Sequence, residues 1–189
     1  MTDLGTWESL GPGEVAELFA GFDRPWWIAG GWAIDLAVGT TTREHDDIDV
    51  AVLRSDQLAV QAHLRGWELS LANVTLTPWI PGELAPPDTC DVWCRPAGAT
   101  AWALQLMLDP STAETWVCRR NTMLTRPMSE AVLRSDDDGR LPYLAPELQL
   151  LMKAKRREAK DDADFATALG ILDDDARSWL RSALERTHP

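Results

Sequence analysis

The chain has 189 residues, enough for a single domain whose core buries roughly 70% of the unfolded surface. It holds 30 Asp and Glu against 18 Lys and Arg, and the formal net charge of −12 disfavours nucleic acid as a partner and favours a small cationic one. No apolar run approaches the ~20 residues of a membrane span and the first residues lack a signal-peptide pattern, so the composition predicts a soluble, cytoplasmic protein with no membrane partner.

The three cysteines, Cys90, Cys94 and Cys118, are predicted to be buried free thiols. Cys90 and Cys94 lie four residues apart in a predicted strand, about 13 Å, which is too far for a disulfide between them. No histidine lies close enough in the sequence to complete a zinc site with them.

The first predicted helix covers residues 13–22, where apolar residues recur at the spacing of one buried helix face. These residues are Val15, Leu18, Phe19 and Phe22. Pro25 ends the segment because proline biases the preceding residue away from helical geometry. The apolar run at 26–29 then predicts a short buried strand.

Two glycines, Gly30 and Gly31, follow this strand directly. They allow a sharp turn from strand to helix and a close approach of the backbone to a ligand. The helix is predicted to begin at residue 32 and to stop at Gly39. Because the N–H groups at a helix start have no partner within the helix, this turn can bind a phosphate group.

A second predicted strand, over 47–53, begins with two carboxylates, Asp47 and Asp49, which the alternation of a strand places on one face. Their backbones are ~6.6 Å apart, and converging side chains at that spacing can bridge two divalent cations. Two like charges so close repel each other, which makes a cation a natural partner. Mg²⁺ suits them because it binds carboxylates together with substrate phosphates and water.

Beyond residue 66 the sequence predicts first strands and then helices. The apolar runs that indicate strands lie at 67–72, 74–79, 89–95, 101–109 and 115–120. Helices are predicted at 128–133, 145–155, 161–172 and 174–186. The predicted fold class is therefore α+β, with one domain over 1–127 and a helical region over 128–189 packed on it.

The glycine pair, the helix and the acidic pair occur in an order that resembles the DNA polymerase β-like nucleotidyltransferase superfamily. The residues that carry the resemblance are Gly30, Gly31, Arg43, His45, Asp47 and Asp49. Within the superfamily, residues 28–35 and 42–49 look like the aminoglycoside and lincosamide nucleotidyltransferases. The close resemblance covers 26–53, with a looser match into the helical tail. It implies a mixed sheet flanked by helices, a C-terminal helical cap, and a catalytic domain over 1–127.

The resemblance implies an enzyme that moves a nucleoside monophosphate, usually AMP from ATP, to a hydroxyl group of a small molecule. Gly30 and Gly31 would bind the triphosphate of ATP or another nucleotide, and Asp47 and Asp49 would hold two Mg²⁺ ions. The hydroxyl attacks the α-phosphorus, and pyrophosphate leaves in line. The acidic surface suits a cationic aminoglycoside as acceptor, and a lincosamide is the other antibiotic acceptor that the resemblance implies.

Enzymes of this family usually carry a third carboxylate on a neighbouring strand, as a metal ligand or general base. Asp109 is the first candidate because it shares a strand face with Gln105 and Met107. It also stands at a strand end, where its role could be to start a turn. Asp91 is the alternative candidate.

Basic residues complete the predicted nucleotide site. Arg43 and His45 either support the phosphates and metals or are structural contacts that fix the loop. Lys153 and Lys155 belong to the densest charge cluster of the chain and either reach the β- and γ-phosphates, as in similar transferases, or are solvated helix ends. The arginine pair at 119–120 is a further candidate for a phosphate contact.

Two other functions remain open on the sequence. A nucleotidyltransferase toxin that acts on tRNA or protein shares the Gly-Gly and Asp-x-Asp motifs, although a net charge of −12 disfavours tRNA. A catalytically silent protein that binds nucleotide is the other function, and the absence of a third acid would favour it.

Overall fold

A mixed sheet of eight strands forms the centre of the structure, a computed structural model that describes residues 5–135, 141–155 and 159–187. Its helices are α1 (Pro12–Leu18), α2 (Gly30–Val38), α3 (Gln57–His63), α4 (Met128–Ala131), α5 (Pro146–Lys153), α6 (Ala159–Leu169) and α7 (Asp174–Thr187). Its strands are β1 (Trp26–Ala29), β2 (Asp49–Leu53), β3 (Trp67–Ala72), β4 (Leu76–Pro78), β5 (Asp91–Pro96), β6 (Leu104–Asp109), β7 (Thr115–Val117), β8 (Thr125–Pro127), β9 (Val132–Arg134) and β10 (Pro142–Leu144). The predicted α+β class is confirmed.

The order of strands brings the glycine pair and the acidic pair together. Across the sheet it is β4-β3-β5-β6-β2-β1-β10-β9, while β7 and β8 pair separately. β2 runs parallel to β6 and β1 parallel to β10, and the other neighbours are antiparallel. Because Ala29 pairs with Asp49, the end of β1 and the start of β2 meet at one edge.

The C-terminal helices pack on the helix that follows the glycine pair. α5 contacts α2, α6 and α7, and its residues 146–151 are buried. Leu148, Leu150 and Leu151 are nearly inaccessible, and each such burial stabilises the fold by roughly 1.5–3 kcal/mol. This packing fixes the polar side chains of α5 and α6 beside the glycine turn. None of the described helices is long and apolar enough to cross a bilayer.

The strand–helix unit at the glycine pair agrees closely with the sequence prediction. β1 covers residues 26–29, and α2 ends at Gly39, whose φ of +81° is typical of a glycine that terminates a helix. The Gly39 N–H donates to the Asp35 carbonyl at 2.9 Å. α2 begins at Gly30, two residues earlier than predicted.

The prediction of a helix over 128–133 is wrong beyond Ala131. The chain there enters β9, which pairs with β10, and β10 pairs with β1. Strand pairing across the sheet overrides the local helical pattern of this segment. The division of the chain after residue 127 stays a prediction, although β9 and β10 add to the main sheet.

Among the described residues, Cys90, Cys94 and Cys118 are free thiols, as predicted. Cys94 and Cys118 are buried, whereas Cys90 is only half-buried, so the expectation of burial is wrong for Cys90. Burial raises the pKa of the Cys94 thiol, which keeps it protonated and unreactive.

Candidate active site

The turn between β1 and α2 requires glycine at residue 30 for two reasons. Gly30 has φ +66°, in the left-handed region that residues with a side chain rarely adopt. A Cβ atom there would also collide with the carboxylate of Asp49, whose Cγ would lie 3.1 Å away. The turn therefore holds the Asp49 carboxylate against the backbone at the start of α2.

Gly31 makes room for side chains of the loop that precedes β2. A Cβ atom there would overlap Arg43 Nη2 and would lie 2.6 Å from the His45 ring. Both side chains therefore reach over the start of α2, and the second glycine allows the loop and the helix to pack together.

Replacing Gly30 with alanine should destabilise the protein more than the same change at Gly39. Gly39 also has a positive φ, but a Cβ atom there meets nothing within 4 Å. Gly39→Ala therefore adds backbone strain alone, about 1–2 kcal/mol, whereas Gly30→Ala also displaces Asp49, at about 1–3 kcal/mol more. Urea titrations measure both free energies of unfolding. Equal losses in the two variants would contradict the packing of Asp49 against the turn.

The N–H of Gly30 already has a partner. It donates to Gln149 Oε1 at 2.9 Å, and Gln149 is a buried residue of α5. The expectation that the N–H groups at this helix start are open to a phosphate is therefore wrong for Gly30, because the packing of α5 brings an amide oxygen to it. A glutamine inside a predicted helix gives no signal of this contact in the sequence.

Asp49 belongs to β2, whereas Asp47 lies outside the strand. β2 begins at Asp49, and Asp47 is exposed in the loop before it. Asp49 pairs with Ala29 on one side and with Gln105 on the other, and these are the end pairs of both ladders. The prediction of a strand from residue 47 is wrong because strand pairing starts at Asp49.

His45 fixes the conformation of this loop. Its Nε2 lies 2.6 Å from Asp35 Oδ2, and both side chains are almost inaccessible to solvent. The His45 ring also stacks on Trp32, with 4.3 Å between ring centroids. Thr42 donates from its hydroxyl to the other oxygen of Asp35. These contacts favour the structural interpretation of His45.

The carboxylate of Asp49 lies in an environment that favours a bound cation. Its Oδ1 is buried and has no hydrogen-bond partner among the described residues. Burial, and next the charges of Asp47 and Asp91, raise its pKa to about 7, against the opposing charges of Arg119 and Lys153. A buried oxygen without a donor, beside two further carboxylates, is stabilised when a cation binds there.

The residues fit Mg²⁺ if substrate supplies part of its coordination. Within the described part of the chain, no three His, Cys, Asp or Glu side chains lie close enough to hold a metal ion by themselves. Mg²⁺ is commonly held by one or two carboxylates together with substrate phosphates and water, and Asp47 and Asp49 provide such a pair.

A cavity of about 220 Å³ opens at the glycine turn and combines acidic and basic side chains. Its acidic lining residues are Asp46, Asp47, Asp49 and Asp109. Its basic lining residues are Arg43, Arg119, Arg120, Lys153 and Lys160. Carboxylates that can hold cations therefore share one cavity with side chains that can hold phosphates.

Of the two lysines predicted to bind nucleotide, the structure places one at this cavity. Lys153 lines it, whereas Lys155 is exposed and lines a separate cavity of about 810 Å³ together with Arg186. α5 ends at Lys153, so Lys155 lies in the turn beyond the helix and is not held on the cavity side by the packing of α5. The arginine pair at 119–120 lines both cavities.

The two candidates for the third acid differ in their surroundings. Asp109 is paired with Leu53, four residues along β2 from Asp49, and its Oδ1 accepts a hydrogen bond from the Ser111 N–H at 2.9 Å. Burial raises the pKa of Asp109. Asp91 lies 3.4 Å from Arg119, and its charge acts on Asp49.

The sequence matches known antibiotic-modifying enzymes over its N-terminal part. Residues 13–80 match the family described as aminoglycoside-2''-adenylyltransferase. A stretch of 26 residues is 65% identical to the 2''-aminoglycoside nucleotidyltransferases of Escherichia coli and Klebsiella pneumoniae. That stretch is 14% of this chain and 15% of the length of each relative.

Solved structures of two such enzymes have the same fold. A lincosamide antibiotic adenylyltransferase, LnuA, bound to lincomycin, superimposes with a TM-score of 0.58 at 18% identity, over 85% of this chain and 95% of that one. ANT(2'')-Ia in complex with adenylyl-2''-tobramycin gives a TM-score of 0.59 at 15% identity, over 92% and 95%. The nucleotidyltransferase fold and the resemblance seen in the sequence are confirmed.

Proposed function

We propose that the chain is a Mg²⁺-dependent nucleotidyltransferase that moves AMP from ATP to a hydroxyl group of an aminoglycoside or lincosamide antibiotic. The observation that carries the proposal is the cavity at the glycine turn. There Asp49 Oδ1, which has no hydrogen-bond partner within the described part of the chain, shares one space with Asp47, Arg43 and Lys153. The match of residues 13–80 to an adenylyltransferase family supports the same chemistry.

The basic and acidic side chains of the cavity would bind different parts of a metal-bound triphosphate. Arg43 and Lys153 supply positive charge beside the glycine turn, where the β- and γ-phosphates would lie. Asp47 and Asp49 would hold the Mg²⁺ ions, of which we propose two, and these ions when bound stabilise charge on the α-phosphate and on the leaving pyrophosphate. The protein therefore contributes mainly position and fixed charge to the reaction.

The reaction that fits this arrangement is an in-line displacement at phosphorus. The acceptor hydroxyl oxygen forms a bond to the α-phosphorus, and the bond from that phosphorus to the oxygen that bridges to the β-phosphate breaks. Pyrophosphate leaves with the electron pair. The proton of the hydroxyl passes to a carboxylate that acts as general base.

We assign the general base to Asp91. Its charge is among those that act on Asp49, and its side chain is 37% exposed, which gives an acceptor access to it. Asp109 instead accepts the N–H of Ser111 and so caps the turn after β6. Arg119 Nη1 lies 3.4 Å from Asp91 Oδ1, and this ion pair can hold the carboxylate in position.

A cationic acceptor fits the charge around the cavity mouth. Asp46 and Asp47 line the cavity and are exposed to solvent. Asp91 lies on the same face of the sheet as Asp49. Together with the net charge of −12, these carboxylates favour an aminoglycoside, whose amino groups are protonated at neutral pH. A cytoplasmic location stays a prediction.

Transfer of label from nucleotide to antibiotic tests the proposed function. The protein is incubated with Mg²⁺, nucleoside triphosphates labelled at the α-phosphorus, and a panel of aminoglycosides and lincosamides, with total tRNA in a parallel reaction. We expect a labelled antibiotic, release of pyrophosphate, and no product when EDTA is present. Label on tRNA or on protein, or nucleotide binding without transfer, would contradict the proposal.

A further inference from the structure

One buried carboxylate, Asp164 of α6, holds two of the basic side chains of the cavity. Asp164 is 1% exposed. Its Oδ1 accepts from Arg43 Nε at 2.8 Å, and its Oδ2 accepts from Arg43 Nη2 at 3.0 Å and lies 2.9 Å from Lys153 Nζ. Both oxygens are therefore occupied, in a two-pronged contact with one cation and a single contact with the other.

The two cations come from distant parts of the chain and meet at the glycine turn. Arg43 belongs to the loop before β2, and its Nη2 would overlap a Cβ atom at residue 31. Lys153 is the last residue of α5. Both line the cavity that contains Asp49. Asp164 thus joins the loop of the acidic pair to the C-terminal helices at the place where phosphates are expected.

Asp164 is ionised in this position. Burial opposes ionisation, but the hydrogen bonds from Arg43 and Lys153 outweigh it and hold the pKa of Asp164 below its ordinary value. The hydrogen bond to Asp164 is also the largest of the causes that raise the pKa of Arg43 above its ordinary value. All three groups therefore carry charge at neutral pH, and the carboxylate offsets the repulsion between the two cations.

We propose that Asp164 is a positioning residue for the triphosphate, and that it acts by fixing Arg43 and Lys153 as one paired anion-binding unit. The inference rests on the proposed function and names a determinant of triphosphate affinity that does not itself contact the nucleotide. An ammonium group has three N–H donors, so Lys153 can hold Asp161 and Asp164 and still donate to a phosphate. The planar guanidinium of Arg43 likewise has five donors.

A charge effect and a positioning effect predict opposite results for Asp164→Asn. The substitution removes one negative charge beside the cavity, so electrostatics alone would strengthen the binding of a polyphosphate. Positioning predicts weaker binding, because Arg43 and Lys153 lose their common anchor and must be ordered by the ligand. The direction of the change in polyphosphate affinity therefore distinguishes the charge effect from the positioning effect.

The test is calorimetric titration of inorganic tripolyphosphate, with Mg²⁺ present, into the full chain. Tripolyphosphate reports on the phosphate site whatever base the nucleotide carries. We expect Asp164→Asn to weaken its binding by about tenfold to a hundredfold, the range for hydrogen bonds to charged groups. The control Asp175→Asn removes the same charge from an exposed position in α7 and should bind like wild type.

Kinetics and a second variant keep the test decisive. In Asp164→Asn the KM for ATP should rise by the same factor, while kcat and the KM for the acceptor stay within about threefold. Arg43→Lys keeps the charge but loses the two-pronged contact, and it should reproduce the effect if Asp164→Asn does not fold. Unchanged or tighter tripolyphosphate binding in either folded variant would overturn the inference. If wild type binds no tripolyphosphate and no ATP, the proposed function itself fails.

Discussion

Asp49→Asn is expected to lower the rate of nucleotidyl transfer by about 100-fold or more while the protein stays folded. Residues that merely support a metal ligand are worth about 10–100-fold, so the loss of a ligand itself should have at least the larger effect. Asparagine keeps the shape of the side chain against Gly30 but removes the negative charge that a cation requires. Initial rates of pyrophosphate release, with circular dichroism as a check of folding, measure the change.

Asp49→Asn should also change how the stability of the protein depends on pH. Without metal, the pKa of Asp49 is raised from 3.8 to about 7, so between these values the folded chain holds a proton that the unfolded chain has lost. The stability of wild type should therefore decrease as the pH rises through this window. Asp49→Asn lacks this pH-dependent loss of stability. In EDTA, the Tm of the variant relative to that of wild type should therefore rise as the pH increases from about 4 to about 8. Near-normal turnover in the folded variant would show that the metal site is misplaced.

Asp91→Asn is expected to lower kcat by about 100-fold or more, the usual contribution of a general base, with little change in either KM. Asp109→Asn is the matched control, since it is the same substitution on the neighbouring strand β6 at a residue that caps a turn. It should stay within about threefold of the kcat of wild type.

The split of the effect between kcat and KM separates a base from a merely structural residue. Asp91→Asn should lower kcat and kcat/KM by the same factor, whereas the loss of a structural contact would also change the KM values. A large loss in Asp109→Asn with a near-normal Asp91→Asn would reverse the assignment and restore Asp109 as the third acid.

The local half of the candidate site could be predicted from the sequence. The strand before Gly30, the turn at the glycine pair and the end of α2 at Gly39 follow from short segments, because a buried strand, a glycine pair and a helix stop each leave a local pattern. The position of Asp47 was predicted less well. Alternation indicated a strand from that residue, but pairing partners on both sides of Asp49 determine where the strand starts.

The other half depends on contacts between segments that are far apart in the sequence. Gln149 reaches Gly30 across 119 residues, and Asp164 reaches Arg43 across 121. The charge cluster that contains Lys153 was visible, but its cavity-facing members are determined by the packing of α5 and α6 on α2. No periodicity within the cluster distinguishes them.

The choice between Asp91 and Asp109 also depends on contacts between distant segments that the sequence does not reveal. Both lie on the face of the sheet that carries Asp49, so alternation within a strand cannot separate them. The register between β2, β5 and β6 places Asp109 beside Leu53, and the turn after β6 engages its carboxylate through Ser111. Registers of this kind are set by the whole sheet and are not encoded in any one strand.

A crystal structure of the protein with Mg²⁺ and a non-hydrolysable ATP analogue tests the central claim most directly. We expect the metal ions on the carboxylates of Asp47 and Asp49, and the β- and γ-phosphates between the glycine turn and the pair formed by Arg43 and Lys153. Phosphates bound instead in the separate cavity that Lys155 lines, or metal ions away from Asp49, would contradict it.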